Sequence, residues 1–214
     1  MRLFTYIVSH DTGFAPNPFW GVCTLVTCKP KIRCAANEKD WIAGISSKAS
    51  GNKLIYAMQV TKKMPLKEYD KFVNNSLVEK KPDWFNRDPR RRLGDAIYDF
   101  SKPSISQHLG MHGPGNMEHD LSGKNALLSN HFLYFGDKAE NIPPYLRNII
   151  PQRGHRSNSN SPYVQPFIDW ISQLGHLWNS VLGNPTQWPS NEVLNEDSEQ
   201  LDSVDKKRRC FFCN

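Results

Sequence analysis

The sequence predicts an α+β domain: a curved, mostly antiparallel sheet or partial barrel of five to seven short strands, with one long C-terminal amphipathic helix covering it. Two observations lead there. Short β-rich runs at 3–8, 22–27, 40–45 and 54–60 alternate with segments holding Pro, Gly, Ser and Asn, which is strand and turn chemistry. One run, 163–182, repeats apolar residues (Val164, Phe167, Ile168, Ile171, Leu174, Trp178, Val181, Leu182) at steps of three and four, the period of a helix that buries one face.

Taken in order, the 3–8 run is the first strand, and 22–27 is the second after a loop that carries Pro16 and Pro18. From Cys28 the cations Lys29, Lys31 and Arg33 fall on alternate positions. A continuing strand would project all three from one face, with Pro30 confining it to a sheet edge or bulge. Two readings stay open for them: charge that protects an edge, or cations that hold phosphate. The runs 40–45 and 54–60, joined by a Ser/Gly/Asn-rich loop, form a hairpin signal. Pro65 opens a short helix with Leu66, Tyr69, Phe72 and Val73 on one face.

Residues 79–92 are polar, broken by Pro82 and Pro89, with Trp84 and Phe85 among six cations. Such a stretch is a solvated face, or a place where a single strand meets cations and rings. The 101–120 loop holds His108, His112, His119 and Asp120, and 125–135 reads as one or two more strands. Gly154 to Ser161 reads as a flexible polar loop. The helix ends at Gly183-Asn184-Pro185, with Gly175 inside it costing about 1 kcal/mol against Ala.

Length and charge bound the function. The 214 residues read as a single domain, 1–185, and an acidic, disordered tail, 186–214, that ends in a basic run and Cys210-Phe-Phe-Cys213. That lone C-x-x-C is a weak zinc signal. The net charge is +6 with pI near 9.1. Without residues 191–214, whose six acids outweigh four cations, the body carries +8. The excess fits plain solubility or a polyanionic partner, a nucleotide or nucleic acid. Five cysteines, no signal sequence and no apolar run near ~20 residues lead us to expect a cytoplasmic protein with reduced thiols and no membrane contact.

The chemistry concentrates in residues 9–33, where hydroxyl, imidazole, carboxylate, amide, thiol and cationic groups crowd a loop stiffened by proline. His10 and Asp11 suit acid–base work, and Cys23 or Cys28 a nucleophile partnered by Lys29 or a histidine; both thiols also suit plain burial in strands. For a bound base, Trp20, Trp41 or Tyr56 would stack on the ring and Asn17 or Asp11 would bond its edge. Lys29, Lys31, Arg33 and Arg156 would hold phosphate. The three histidines of the 101–120 loop match no compact zinc spacing, so no metal site is assigned. No P-loop, Rossmann glycine pattern or zinc-deaminase signature occurs, so the residues fix neither a cofactor nor a reaction.

One run is long enough to carry a family likeness: His10-Asp-Thr-Gly-Phe-Ala-Pro-Asn-Pro-Phe19, then Gly21 through Cys28-Lys-Pro-Lys-Ile-Arg33. Asp40-Trp-Ile, Leu54-Ile-Tyr-Ala-Met58, Gly94-Asp95-x-Ile97-Tyr98, His112, Tyr134-Phe135-Gly136 and Gly154-His155 extend it. Over roughly residues 2–156 the chain resembles the nucleotide-modification-associated domain family of the second type, small phage and bacterial proteins tied to pathways that alter DNA bases. It departs from the family pattern at Ala96, where Asn is usual, and at Lys39, where Gly is typical.

The resemblance singles out His10, His112 and His155 among the histidines. With Asp11 and Cys28 they are the catalytic candidates; Asn17, Trp20, Lys29, Lys31, Arg33, Asp95 and Arg156 are the candidate contacts to nucleotide or base. The strand arrangement also looks like the PUA, EVE and YTH barrels, which seat a modified base against aromatic rings; this is an analogy of fold. Three functions stay open: an enzyme acting on a nucleotide or DNA base, a non-catalytic reader of modified bases, and a protein adaptor using the acidic tail. The first two place His10, Asn17, Arg33, His112 and His155 around one cleft.

Overall fold

The computed structural model describes residues 1–188. The chain runs through β1 (Leu3–Val8), β2 (Cys23–Leu25), α1 (Pro30–Ala35), β3 (Trp41–Ser46), β4 (Leu54–Gln59), β5 (Lys62–Pro65) and α2 (Leu66–Ser76). It continues through α3 (Pro89–Arg92), β6 (Tyr98–Asp99), β7 (Ser106–Gln107), α4 (Met117–Ser122), β8 (Asn125–Ser129) and β9 (His131–Tyr134), and ends with β10 (His155–Arg156), α5 (Val164–Gln173) and β11 (Ser180–Val181). The result is a mixed α+β fold of mostly antiparallel, open sheets. No closed barrel is formed: β10 and β11 remain separate edges of the main sheet.

That sheet has six strands in the order β10-β1-β3-β4-β9-β11. β1 and β3 pair parallel from Leu3↔Trp41 to Val8↔Ser46, β11 pairs parallel with β9, and the other neighbours are antiparallel. Alternation along each strand splits its side chains between two cores. Phe4, Tyr6, Ile42, Tyr56, Met58 and Tyr134 pack toward Leu25, Ile32 and Leu127. Leu3, Trp41, Ala43, Ala57 and Leu133 pack the other way, against Leu146, Ile149, Val164, Phe167 and Ile171. Each such large apolar side chain gains about 1.5–3 kcal/mol by leaving water, so both faces hold the sheet in place. A second antiparallel sheet, β2-β8-β5, buries Val26, Met64, Ala126 and Leu128 with Leu66, Tyr69 and Val73 of α2.

Several expectations need correction. Residues 28–33 do not continue as a strand. Cys28 and Lys29 take left-handed backbone conformations (φ 55° and 38°), and Pro30, at ease in a first helical turn, starts α1. Lys29, Lys31 and Arg33 therefore do not share one face. The C-terminal helix spans ten residues rather than twenty. Gly175 at φ +72°, a region glycine enters without strain, turns the chain out so that β11 can pair with β9. The charged run 79–92 is partly internal, since Lys80, Trp84 and Arg92 are buried. The 154–161 segment is not a free loop: β10 pairs with β1, and buried Asn160 donates to Leu3 O at 3.1 Å. Trp41 sits in the core, 2% exposed. Most of the expected acidic tail, Cys210 and Cys213 included, lies outside the described residues.

Candidate functional site

The 9–29 segment is held as a rigid wall by buried polar groups. Asn17 and Thr24 exchange backbone hydrogen bonds of 2.8 and 2.9 Å, and Asn17 Nδ2 donates to Leu93 O at 2.7 Å. Lys80 Nζ donates to Asn17 O, Asn17 Oδ1, Val22 O and Thr24 Oγ1 at 2.7–2.9 Å. Beneath them Asp95 accepts from Thr24 Oγ1 and from Tyr69 OH at 2.5 and 2.7 Å. Burial pulls the Lys80 ammonium down to about 8, against the opposing field of Asp95. Burial likewise raises the Asp95 carboxyl, with Lys80 and the two hydroxyls working against it. At the other end Asp11 is tied by Tyr134 OH and by Thr186 N at 3.2 Å. Trp188 stacks on Phe19, so residues 186–188, placed by the sequence in the tail, pack onto this wall.

The wall ends at Cys28, whose left-handed backbone is fixed on both sides. Its N–H donates to Asp120 Oδ1 at 2.7 Å, and its carbonyl accepts from Arg33 Nε at 2.7 Å. Arg33 is fully buried and also donates to the carbonyls of Asn125, at 2.9 Å, and Asp120. Cys28 Sγ lies 3.4 Å from His112 Nε2, and His112 Nδ1 lies 2.6 Å from Asp120 Oδ2. Tyr98 OH donates to that same oxygen at 2.8 Å. Phe14 meets the His112 ring edge-on at 4.9 Å between centroids. Burial favours a neutral Asp120, but hydrogen bonds from His112, Cys28 and Tyr98 with the His112 charge outweigh it, and its pKa stays below the ordinary carboxylate value.

The result is a thiol, an imidazole and a carboxylate in line, the arrangement in which a base accepts the proton of a nucleophile while a third group orients the base. With Nδ1–H donated to Asp120, Nε2 presents its lone pair to the thiol. Donor atoms of Cys28, His112 and Asp120 also lie within 4.8 Å of one another, so these three residues could bind a soft divalent cation. Both lone pairs of Asp120 Oδ2 are already engaged by His112 and Tyr98, which suits an orienting group better than a ligand.

Two cavities meet at Cys28. A small one, about 30 Å³, is lined by Tyr6, His10, Thr12, Phe14, Cys28 and His112. A larger one, about 210 Å³, is lined by Cys28, Lys29, Lys31, Ile32, His119 and His155. Among the expected site residues, His10, Cys28, Lys29 and His112 therefore gather at the first, and Lys31 and His155 join Cys28 and Lys29 at the second.

The others stand elsewhere. Arg33 is enclosed behind Cys28, while Asn17 and Asp95 belong to the Lys80 network, so the five residues expected in one cleft are divided: His10 and His112 line the small cavity, His155 the larger one, and Asn17 and Arg33 neither. Asp11 is buried against Tyr134. Arg156 pairs with Thr5, on the opposite face of the sheet from His155. Trp20 is half-buried under the Arg90 guanidinium, 5.0 Å from its ring centre. Sequence reasoning missed the roles of Asp120 and Tyr98. Asp120 appears there only as part of a histidine-rich loop, and Tyr98 only as the last residue of a short motif.

Fold and site together define an α+β protein that carries a buried thiol–imidazole–carboxylate cluster at the end of a rigid loop. A family model, nucleotide modification associated domain 2, matches residues 1–192; the chain belongs to that family. No curated protein and no solved structure matches it. Among the described residues no helix is long and apolar enough to cross a membrane.

Proposed function

We propose that this chain acts on a nucleotide or a DNA base, in the setting of base modification that the family's name indicates, with Cys28 as a covalent nucleophile. The alignment of Cys28 Sγ, His112 and Asp120 carries this reading. His112 Nε2 takes the thiol proton. The thiolate adds to an electron-poor carbon of the substrate, the displaced π pair moves to the attached heteroatom, and that atom receives the proton held by His112. Reversal of the addition frees the thiolate directly. If a substituent leaves from the same carbon instead, taking a proton from His112, the substrate stays bonded to sulfur until water adds at that carbon, gives its proton to His112 and the thiolate departs. Asp120 holds the ring of His112 in place and balances its charge when protonated, as carboxylates do in related constellations. His10 and Thr12 line the small cavity beside Cys28, Lys31 lines the larger one, and Lys29 lines both.

A non-catalytic reader of modified bases would use the same cavities without turnover, and Lys29, Lys31 and His155 at the larger one favour that second reading. Expression of the chain and of its Cys28→Ser variant in bacterial cells, with mass spectrometry of nucleosides from the cells' DNA and nucleotide pool, separates the two. A nucleoside mass that changes with the intact chain and not with Cys28→Ser supports the enzyme. Identical profiles, with nucleotide binding retained by both proteins, would leave only the reader.

A further inference from the structure

We infer that the larger cavity seats a nucleoside monophosphate unit, with its base against Pro30 and Ile32, its phosphate on Lys29, Lys31 and His155, and its reactive edge toward Cys28. This deepens the reading of Cys28 as nucleophile and rests on it for the orientation of the base, though not for the binding itself. Three observations converge. The cavity is lined by two lysines and two histidines, His119 and His155, and by no carboxylate. The positive charge there has no acidic partner in the lining, so an anion entering it gains attraction with little repulsion. At about 210 Å³ it also has room for a planar ring, and Pro30 and Ile32 give that ring an apolar wall. Finally, Cys28 lines this cavity and the small one beside His112, so a ring in the larger cavity lies beside the residue that carries the thiol.

His155 reports the sign of the field. Its neighbours are Lys29 and Lys31 at the start of α1, His119 of α4, Tyr6 and Phe4 of β1, and Cys28; its ring lies 6.3 Å from that of Phe4. Burial lowers its pKa, and the charges of Lys31 and then Lys29 lower it further. A bound phosphate reverses that balance by screening the lysines and accepting a hydrogen bond from the imidazolium. Phosphate binding therefore raises the pKa of His155, an effect that an apolar or cationic ligand cannot produce.

The test uses the four deoxynucleoside 5′-monophosphates, the matching nucleosides, and a short single-stranded oligodeoxynucleotide as probes. Affinity is read by calorimetry, and the His155 ring by NMR titration. At least one monophosphate binds about tenfold more tightly than its nucleoside, the gap that charge-assisted bonds to phosphate supply. Lys31→Ala, a change at an exposed side chain, removes most of that gap, and the His155 titration moves up on binding. Lys48→Ala, at an exposed lysine outside the cavity lining, binds as well as the intact protein.

Nucleosides and monophosphates of equal affinity, or a His155 titration unmoved by a bound monophosphate, would overturn the assignment. If the oligonucleotide alone shifts His155, the same unit is read within a strand; if the free monophosphate shifts it, within the nucleotide pool. Should binding hold while no nucleoside product forms, the cavity assignment stands and the nucleophile reading falls. Should product form without phosphate preference, the reverse is true.

Discussion

Cys28 Sγ and His112 Nε2 lie 3.4 Å apart although 84 positions separate them in the chain, and one shared residue holds them together. Asp120 accepts the backbone N–H of Cys28 with one oxygen and faces the His112 ring with the other. The nucleophile's backbone and the base's ring are thus positioned by a single carboxylate, and a change there moves both.

The described thiols form an internal comparison. Cys23 is buried, and burial pushes its thiol up to about 12; Cys34 is exposed, and its thiol lies 3.3 Å from the carbonyl of Gly123. Alkylation at neutral pH, mapped by peptide mass spectrometry, is expected to spare Cys23 and to modify Cys28 and Cys34. His112→Ala slows Cys28 by about 10²-fold, the scale of a lost general base, and leaves Cys34 unchanged. An equal change at both thiols would point to altered access and not to lost proton transfer.

Asp120→Asn keeps the shape and changes the charge. Nucleoside turnover is expected to fall by about 10²-fold or more while monophosphate affinity holds, because the amide neither fixes the His112 tautomer nor balances its charge. Stability follows with a definite sign. The folded pKa of Asp120 is depressed, so its contribution is fully present above the ordinary carboxylate value of 3.8 and is lost as pH falls through the folded value. Urea melts at pH 7 and near pH 3 check this: the wild-type advantage over Asp120→Asn shrinks in acid.

Local pattern made much of the fold legible. β1, β3 and β4 follow the apolar runs that predicted them, and the face of α2 carries the expected Leu66, Tyr69 and Val73. Pattern failed where a few backbone angles decide the outcome. The left-handed pair at Cys28 and Lys29 turned an expected strand into α1, and Gly175 cut the last helix in half. The candidate site was half legible for the same reason. Cys28 and His112 stand out as chemical types, but their pairing depends on Asp120, whose place is set by hydrogen bonds from β6 and from Arg33 across about ninety residues of chain. Arg33 suits an exposed edge charge or a phosphate ligand on the sequence alone because charge is visible there and burial is not.

Gly123 follows α4 and lies directly against the Arg33 guanidinium; a Cβ there would overlap its terminal atoms. Gly123→Ala is expected to destabilise the protein by about 1–3 kcal/mol, the usual cost of overpacking. Because Arg33 also donates to Cys28 O, the same change slows Cys28 alkylation, whereas Gly115→Ala, at a glycine with open space around it, leaves both unchanged. Denaturant melts and thiol labelling on the two variants make the comparison.

The last prediction concerns the wall itself. Lys80 is fully buried, and its ammonium shares its three hydrogens among four oxygens of Asn17, Val22 and Thr24, while its charge acts on Asp95. Lys80→Met would leave the Val22 carbonyl without its donor, take one donor each from Asn17 O and Asn17 Oδ1, and leave the buried Asp95 carboxyl without its nearby positive charge. A buried polar group that loses its hydrogen-bond partner costs about 1–3 kcal/mol, so the variant is expected to lose at least that much in urea. Much of the loss comes from the stranded acid, so Lys80→Met with Asp95→Asn should recover part of it, and the recovered share measures the coupling. Strictly additive losses would mean that Lys80 acts through the loop carbonyls alone. Either way, the folded fraction of Lys80→Met is expected to lose Cys28 reactivity, since the segment it releases is the one that ends at the nucleophile.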